Sequence, residues 1–385
     1  MGNIVHKSLE LALSHIKKEY KNSWSELSDE DIRRICDDSM VEAVKGCEKV
    51  IDEDETEQGR NSVIIDKLSD LIHRTVDTIK YQLSMGSLLP EDFEQRFTAT
   101  FKAKRPTGED AVISINGIVD RIDGLDNEEG HFFRIVDYKT GDKTFKPDHI
   151  VQGTDLQLTV YMDIIREILA KEFKHDKVIP AGLYYYHVTN PNIDLNRITK
   201  GALKEAENDV AKAAAIEQRK ALRLKGVIND DDSENHEYLK LQDRNMIDDK
   251  GSLNGSTVVQ ASVEGKYPDK SYTARTAAVG TDQLEMLGRF GRSRMVEITE
   301  DILAGKIDKH PVRYYTERKK KCSFCDYKTV CRFGVYSGSV NYIPNQTDTD
   351  IEMIKAMKDK IVKEVEYDKV ERRTTDGAGQ PGGKH

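Results

Sequence analysis

The chain has 385 residues, of which 37% are hydrophobic and 33% are charged, and its formal net charge at pH 7 is −9. It contains no run of 18 apolar residues and no recognisable signal peptide, so we expect no membrane span and a location in the cytoplasm. The acidic balance argues against passive, non-specific binding of nucleic acid. It is compatible with a local basic groove, because the field near a site depends on nearby charges.

Helical periodicity dominates the first part of the chain. The apolar residues of NIVHKSLELALSHI recur at helical spacing, and Ser28 with Asp31 resembles a capping box that opens a second helix. A third helical pattern ends at the breaker SMGSLLPED. Residues 1–92 are therefore predicted to form an N-terminal helical part.

Strand patterns follow. FEQRFTATF, AVISINGIVDRID (111–123) and HFFRIVDYK (131–139) predict three strands, and a helix from about Leu156 to Lys171 precedes the buried strand KVIPAGLYYYHV (177–188). This order predicts an α+β fold with a mixed sheet, whose core we assign to residues 93–198.

The remaining chain divides by composition. Residues 199–260 are charged and predicted to form a helical insertion, and residues 261–335 hold a further helix and three clustered cysteines. Residues 336–385 are predicted to be a partly disordered tail, because TTDGAGQPGGKH has the composition of disordered segments.

One strand carries a candidate site. Residues i and i+2 of a strand point to the same side, so Asp137 and Lys139 of RIVDYKTG should share a face. Asp120 of GIVDRID is predicted near the end of the neighbouring strand, where it could lie beside Asp137. Two carboxylates suit Mg²⁺, and the lysine could orient a water or help to deprotonate it. Ordinary ion pairs at strand ends are the alternative, and this pattern alone is weak in so charged a chain.

The cysteines form a second candidate site. Cys322, Cys325 and Cys331 follow the spacing C-x₂-C-x₅-C, and thiolates select iron–sulfur clusters or zinc. An odd, clustered count without a secretory signal points to metal ligation in a reducing compartment. For zinc, His310 could be the fourth ligand. The alternative, that the three cysteines are simply small buried residues, is poor because they directly follow the charged segment ERKKK.

Several motifs together resemble a known family. GIVDRID, IVDYKTG and DLQLTVYMD look like the signature blocks of RecB-type nucleases of the PD-(D/E)XK superfamily. MGNIVHKSLE resembles the family's G-x-x-x-H-x-x-L-E helix. AGLYYYHVTNP and CSFCDYKTVC narrow the resemblance to the C-terminal nuclease domain of the B subunit of AddAB-type bacterial ATP-dependent helicase–nucleases, over residues 1–335. The resemblance implies a restriction-endonuclease-like core with helical additions.

The resemblance implies roles at the nuclease centre. His6, Asp120 and Asp137 match residues that hold Mg²⁺ or Mn²⁺, and Lys139 matches the catalytic lysine. Glu94 is a weaker match to an accessory acidic position. Taken alone, a histidine such as His6 beside an apolar face is more often structural.

It also implies roles on the next helix and at the cysteines. Gln157 and Tyr161 match a Q-x-x-x-Y pair, and their i, i+4 spacing on a helix would turn both toward the site and the DNA backbone. Cys322, Cys325 and Cys331 match three ligands of a [4Fe–4S] cluster.

The implied function is metal-dependent hydrolysis of DNA by an exonuclease, in the 5′→3′ sense, within a helicase–nuclease that acts in double-strand-break repair and recombination. The implied partners are DNA and, from the same complex, the helicase/nuclease A subunit. One alternative is a non-catalytic DNA-end-binding or scaffold domain of the same complex, and another is a free-standing RecB-like nuclease. Intact Asp120, Asp137 and Lys139 favour catalysis, whereas YYYHVTNP and the long insertion favour the complex.

The chain departs from the family pattern in three respects. It is far shorter than the family's complete B subunits, which indicates a fragment, and it has no G-x-x-x-x-G-K-[ST] motif, so we expect no ATP hydrolysis. The family's upstream cluster cysteine has no counterpart. Cys36 and Cys47 are the candidate substitutes, but each lies in a helical pattern, so the chain is expected to hold the cluster weakly or not at all.

Overall fold

The structure is a computed structural model. It describes residues 2–21, 23–46, 55–141, 143–173, 177–231, 238–248, 250, 252, 254–261, 263–265, 270–272, 277–308, 311–314, 322, 325–332, 341–343, 350–361 and 363–373.

Three helices precede three consecutive strands, and helices and strands are mixed in the rest of the chain. In the described residues they are α1 (Gly2–Tyr20), α2 (Asp29–Lys45), α3 (Glu55–Met85), α4 (Pro147–Val151), α5 (Gln157–Glu172), α6 (Lys200–Glu205), α7 (Val210–Ala221), α8 (Tyr238–Gln242), α9 (Thr281–Leu303), α10 (Lys328–Cys331) and α11 (Asp350–Ala356). No helix in these ranges has both the length and the apolar character needed to cross a membrane.

The strands in the same ranges are β1 (Leu89–Lys104), β2 (Asp110–Asn127), β3 (Gly130–Lys139), β4 (Val178–His187), β5 (Lys225–Asn229), β6 (Val263–Gly265), β7 (Lys270–Tyr272), β8 (Ala277–Val279), β9 (Val312–Tyr314), β10 (Asn341–Ile343) and β11 (Lys369–Arg373). Seven of them form one sheet in the order β11-β1-β2-β3-β4-β5-β8. β1, β2 and β3 are an antiparallel meander, and β4 lies parallel to β3 after a crossover through α4 and α5.

This mixed sheet is covered by helices on both faces. One face packs on α1, α2 and α3 through a core that includes Val136, Tyr138 and Tyr184. The other face packs on α5, α9 and α11 through a core that includes Ile135 and Leu183. Burial on both faces explains the nearly continuous apolar runs of β3 and β4. The predicted α+β fold with a mixed sheet flanked by helices is confirmed.

The helical N-terminal part follows the predicted pattern. The capping box that opens α2 is present, since the Ser28 hydroxyl accepts from the Asp31 amide at 3.0 Å. Lys17 of α1 donates to the Glu91 carbonyl of β1, so α1 is tied to the sheet. β1 begins at Leu89, earlier than predicted, because a register shift between Pro90 and Asp92 accommodates the proline.

Three segments outside the predicted core also contribute strands to the sheet, and one of these strands is β8, which pairs with β5. β5 lies within the stretch predicted as a helical insertion, and it pairs with β4. β11 lies within the predicted tail, and it pairs with β1 as an edge strand. The stretch predicted as a helical insertion therefore contains a strand at Lys225–Asn229 beside its helices, and the short apolar run of this strand is flanked by charged residues. The final segment, TTDGAGQPGGKH, lies outside the described residues.

Residues 350–361 and 363–373 contribute buried side chains to the core, which a stability measurement can check. Ile354 of α11 is fully buried, so Ile354→Ala should lower the free energy of unfolding by about 2–5 kcal/mol. Urea denaturation followed by circular dichroism gives this value. The matched control is Ile302→Ala on α9, where the side chain is 70% exposed and the change should be small. Equal effects of the two substitutions would contradict the packing of α11.

Candidate active site

His6 reaches the sheet from the first turns of α1. Ile4, Val5 and Leu9 of this helix are buried against the core, which fixes the rotation of the helix. The His6 ring lies at the edge of that apolar face, 31% exposed, with its centroid 6.3 Å from the Tyr138 ring. The predicted helical position of the histidine therefore brings it to β3.

Glu94 and Asp120 face each other across the β1–β2 hairpin. The register pairs Phe93 with Arg121 and Gln95 with Val119, so Glu94 stands opposite Asp120. Glu94 has a φ of 48°, in the left-handed region that is uncommon for residues other than glycine. Such backbone strain persists where the surrounding structure imposes it, and it is frequent at functional sites.

Three of these side chains form a compact donor set. The Nδ1 atom of His6 lies 3.4 Å from Oδ1 of Asp120 and 3.8 Å from Oε1 of Glu94. In the described residues this is the one group of three or more His, Cys, Asp or Glu whose donor atoms lie within 4.8 Å of one another. An imidazole with two carboxylates is a donor set that suits Mn²⁺ and, through its oxygens, Mg²⁺.

The sequence predicted a slightly different metal set. His6 and Asp120 are brought together as expected, but the third member is Glu94, and Asp137 lies outside this group. Asp137 is nevertheless close to Asp120, because the antiparallel strands β2 and β3 pair Arg121 with Val136, the residues next to these two positions. Asp120 lies in the interior of β2, which continues to Asn127, and it is not near the strand end.

Asp137 belongs to a second, linked set. Lys139 forms an ion pair with Asp137, as their shared strand face predicts. Gln157, the first residue of α5, donates to Oδ1 of Asp137 at 2.9 Å and accepts from Nζ of Lys139 at 3.4 Å. One amide side chain therefore holds the carboxylate and the ammonium group together.

A backbone amide connects the two sets. The Tyr138 amide donates to Oδ2 of Asp120 at 2.5 Å, which fixes this carboxylate beside β3. Burial, together with the nearby Asp120 charge, raises the pKa of Asp137 to about 6, although Lys139 acts in the opposite direction. The crowding of carboxylates gives the site a high affinity for positive charge.

The same carboxylates act on His6. Hydrogen bonds from the imidazole to Asp120 and Glu94 raise the pKa of His6 to about 10, despite its partial burial. Burial in turn raises the pKa of Glu94, and His6 opposes that change. A proton on His6 is thus stabilised by the same carboxylates that would hold a divalent cation.

Tyr161 follows Gln157 one turn along α5. Its ring packs edge to face on Phe97, with centroids 5.1 Å apart. Its hydroxyl interacts with Gln157 and with the Ile118 backbone, and burial raises the pKa of this hydroxyl. Gly117 makes this approach feasible, since a Cβ there would lie 2.3 Å from the Phe97 ring and 3.0 Å from the Tyr161 ring.

One contribution was anticipated only weakly from the sequence, and another was not anticipated at all. Glu94 matched the family only weakly, and its left-handed conformation has no signal in the residue type. Gly117 could have been found, because a glycine inside a strand often marks the close approach of another group. Both residues lie on the β1–β2 hairpin.

The cysteine cluster is a separate segment. Cys325 is exposed, while Cys322 and Cys331 are partly buried. Their sulfur atoms, although described, do not form a donor group within 4.8 Å. Cys36 is buried in the core, and burial raises the pKa of its thiol to about 12, which disfavours it as a substitute ligand. Cys47 and His310 lie outside the described residues.

Comparisons with known proteins agree with the motifs. The model of the PD-(D/E)XK nuclease superfamily matches residues 1–332. The chain is 25% identical over 343 residues to the B subunit of an ATP-dependent helicase/deoxyribonuclease from Lachnoclostridium phytofermentans, covering 89% of this chain and 27% of that protein. It is 27% identical over 376 residues to the corresponding protein of Clostridium acetobutylicum, covering 94% and 29%. The chain thus spans less than a third of the length of these relatives, and the predicted resemblance is confirmed.

The donor set can be tested by metal binding. Glu94→Gln keeps the shape of the side chain and removes its charge, so the affinity for Mn²⁺ should fall by at least about tenfold. Titration with Mn²⁺ followed by electron paramagnetic resonance measures this affinity. Glu109→Gln, in the exposed turn between β1 and β2, is the matched control. Equal affinities of the wild type and Glu94→Gln would exclude Glu94 from the metal set.

Proposed function

Because the chain belongs to the PD-(D/E)XK nuclease superfamily, we propose that it hydrolyses phosphodiester bonds of DNA with a divalent cation held by His6, Glu94 and Asp120. The observation that carries this proposal is the position of the donor set. It lies directly beside the Asp137–Lys139 ion pair. A site for a cation and a positioned lysine are thereby adjacent.

The residues of the chain have distinct tasks in this proposal. A bound cation would neutralise charge on the scissile phosphate and acidify a water molecule. Lys139 supplies positive charge where the transition state gains negative charge. Gln157 keeps Lys139 and Asp137 in position through its two hydrogen bonds. Tyr161, packed beside Gln157, limits the movement of that amide.

The wider role is proposed from the relatives. Proteins named as the B subunit of an ATP-dependent helicase/deoxyribonuclease match most of this chain, which supports a nuclease-type role in a helicase–nuclease complex. We propose that the partners are DNA and the A subunit of that complex, that it acts in the cytoplasm in double-strand-break repair and recombination, and that the cut is made in the 5′→3′ sense. Cleavage itself should need no ATP, because the proposed chemistry uses only the cation and the residues around it.

A non-catalytic DNA-end-binding or scaffold domain is less well supported. Such a domain would not need Gln157 to hold both Asp137 and Lys139. A free-standing nuclease is also less well supported, since the relatives are named as subunits of a larger enzyme.

Removal of the buried carboxylate tests the catalytic proposal. Asp137→Asn should lower the rate of Mg²⁺-dependent cleavage of a labelled oligonucleotide by at least about a hundredfold. The physical reason is that Lys139 loses the charged partner that positions it. Asp110→Asn, at an exposed ion pair with Lys104, is the matched control and should cleave normally. Wild-type cleavage by a folded Asp137→Asn protein would refute the proposal.

We propose in addition that Cys322, Cys325 and Cys331 are ligands of a [4Fe–4S] cluster, with the fourth thiolate supplied by a longer form of the protein. Two observations support this proposal. Thiolates are preferred ligands of iron–sulfur clusters, and CSFCDYKTVC is similar to the corresponding segment of the family. Zinc is the alternative metal for the same three cysteines.

Metal analysis distinguishes an iron–sulfur cluster from zinc. After anaerobic purification, the present chain should contain iron and sulfide well below one cluster per molecule, because three thiolates leave one site of the cluster open. A version extended upstream to include a further cysteine should contain both in cluster stoichiometry. Stoichiometric zinc without sulfide in that extended version would contradict the cluster.

A further inference from the structure

Five side chains lie on one face of the sheet where β3, β4 and β5 meet. The register pairs Asp137 with Tyr185 and Lys139 with His187 between β3 and β4, and Tyr185 with Lys225 between β4 and β5. Directly paired residues and residues two apart on one strand point to the same face. Lys139 is therefore the first member of a basic row that continues across β4 to β5.

The row is held in place by its neighbours. The Tyr185 ring lies beneath two ammonium groups, 5.7 Å from Nζ of Lys139 and 4.9 Å from Nζ of Lys143. Asp155 fixes this arrangement, since it pairs with Lys143 at 2.9 Å and accepts from the Tyr185 hydroxyl at 3.2 Å. Lys143 is thus positioned beside Lys139 on a buried aromatic platform.

Lys225 extends the row by one strand. Its Nζ lies 3.3 Å from Nδ1 of His187, and Nε2 of His187 contacts the Lys143 carbonyl. With Nε2 donating to that carbonyl, Nδ1 carries a lone pair that accepts from Lys225. Within the described ranges, no carboxylate lies at ion-pair distance from Lys225, so its charge is not neutralised by a neighbouring acid.

We propose that Lys143 and Lys225 bind the phosphates of a single DNA strand on one side of the scissile phosphate, so that the strand crosses β4 and β5 as it leaves Lys139. This site rests on the proposed nuclease function and specifies the path of its substrate. Strands lie about 4.8 Å apart and Lys225 lies two strands from Asp137, so these two positions are about 10 Å apart across the sheet. This separation places Lys225 beside a neighbouring phosphate rather than the scissile one.

The occupant is a single strand because the cations are recessed. The side chains of Lys139 and Lys143 are only 22% and 32% exposed. A single strand can bend into such a recess, whereas a duplex is stiff over about 150 base pairs.

Binding without cleavage tests this path. Metal is removed with a chelator, and the Kd for a fluorescein-labelled single-stranded oligonucleotide is measured at several salt concentrations. Lys225→Ala should raise this Kd several-fold at low salt and reduce the slope of log K against log salt by about 0.7, the contribution of one phosphate on a single strand. Lys143→Ala should act in the same direction, and Lys225→Arg should restore both values.

Lys102→Ala is the matched control. This exposed lysine of β1 lies eight residues from Glu94, about 26 Å along the strand, so its loss should leave the Kd unchanged. A Lys225→Ala protein with the wild-type Kd and salt slope would overturn the proposed path. If Lys225→Ala weakened the binding of duplex DNA and left the binding of the single strand unchanged, the proposed path would be overturned too.

The same proteins separate this inference from the nuclease function. If the wild type binds the oligonucleotide but cleaves nothing with Mg²⁺ or Mn²⁺, the nuclease function is refuted. The Kd values of the lysine variants then still decide whether the basic row binds the strand. If the wild type cleaves and Lys225→Ala shows the KM of the wild type for the oligonucleotide, the row fails and the nuclease function stands.

Discussion

The register of the β1–β2 hairpin determines the composition of the candidate site. Pairing runs without interruption from the turn at residues 105–109 to Gln95 and Val119, so the turn alone fixes which residue of β1 meets Asp120. A slip of one residue would move Glu94 to the other side of the sheet. The left-handed backbone of Glu94 is then needed to bring its carboxylate to His6 and Asp120.

A buried ionic cluster joins β2 to the next strand, β3. Arg121 and Arg134 are both buried, and each contacts a different oxygen of Asp123, at 2.9 and 2.7 Å. Arg134 also donates to Gln242 at 2.8 Å. Breaking one member of such a cluster leaves an uncompensated buried charge, so β2 and β3 cannot shift independently. The arginine of GIVDRID therefore pairs with the second aspartate of that motif, and Asp120 remains available to the site.

The sequence was most informative where one element controls a position. Helical spacing placed His6 on α1 and Gln157 with Tyr161 on α5, and strand alternation placed Asp137 beside Lys139. It was least informative where a position depends on distant segments. β5 and β11 are short strands among charged residues, and only pairing with β4 and β1 makes them strands. The local composition therefore favoured a helical insertion for the segment of β5 and a disordered tail for the segment of β11.

Around the candidate site the charge changes sign from one strand of the sheet to the next, which the net charge of −9 does not reveal. On β1 and β2, Glu94 and Asp120 create a site so negative that a proton on His6 is strongly held. On β4 and β5, a neutral platform and Lys225 continue the positive charge that begins at Lys139. β3 carries both signs, and it lies between the two regions. A phosphate above β3 would therefore face a cation site on one side and basic side chains on the other, an arrangement that suits the proposed cleavage of a phosphodiester strand.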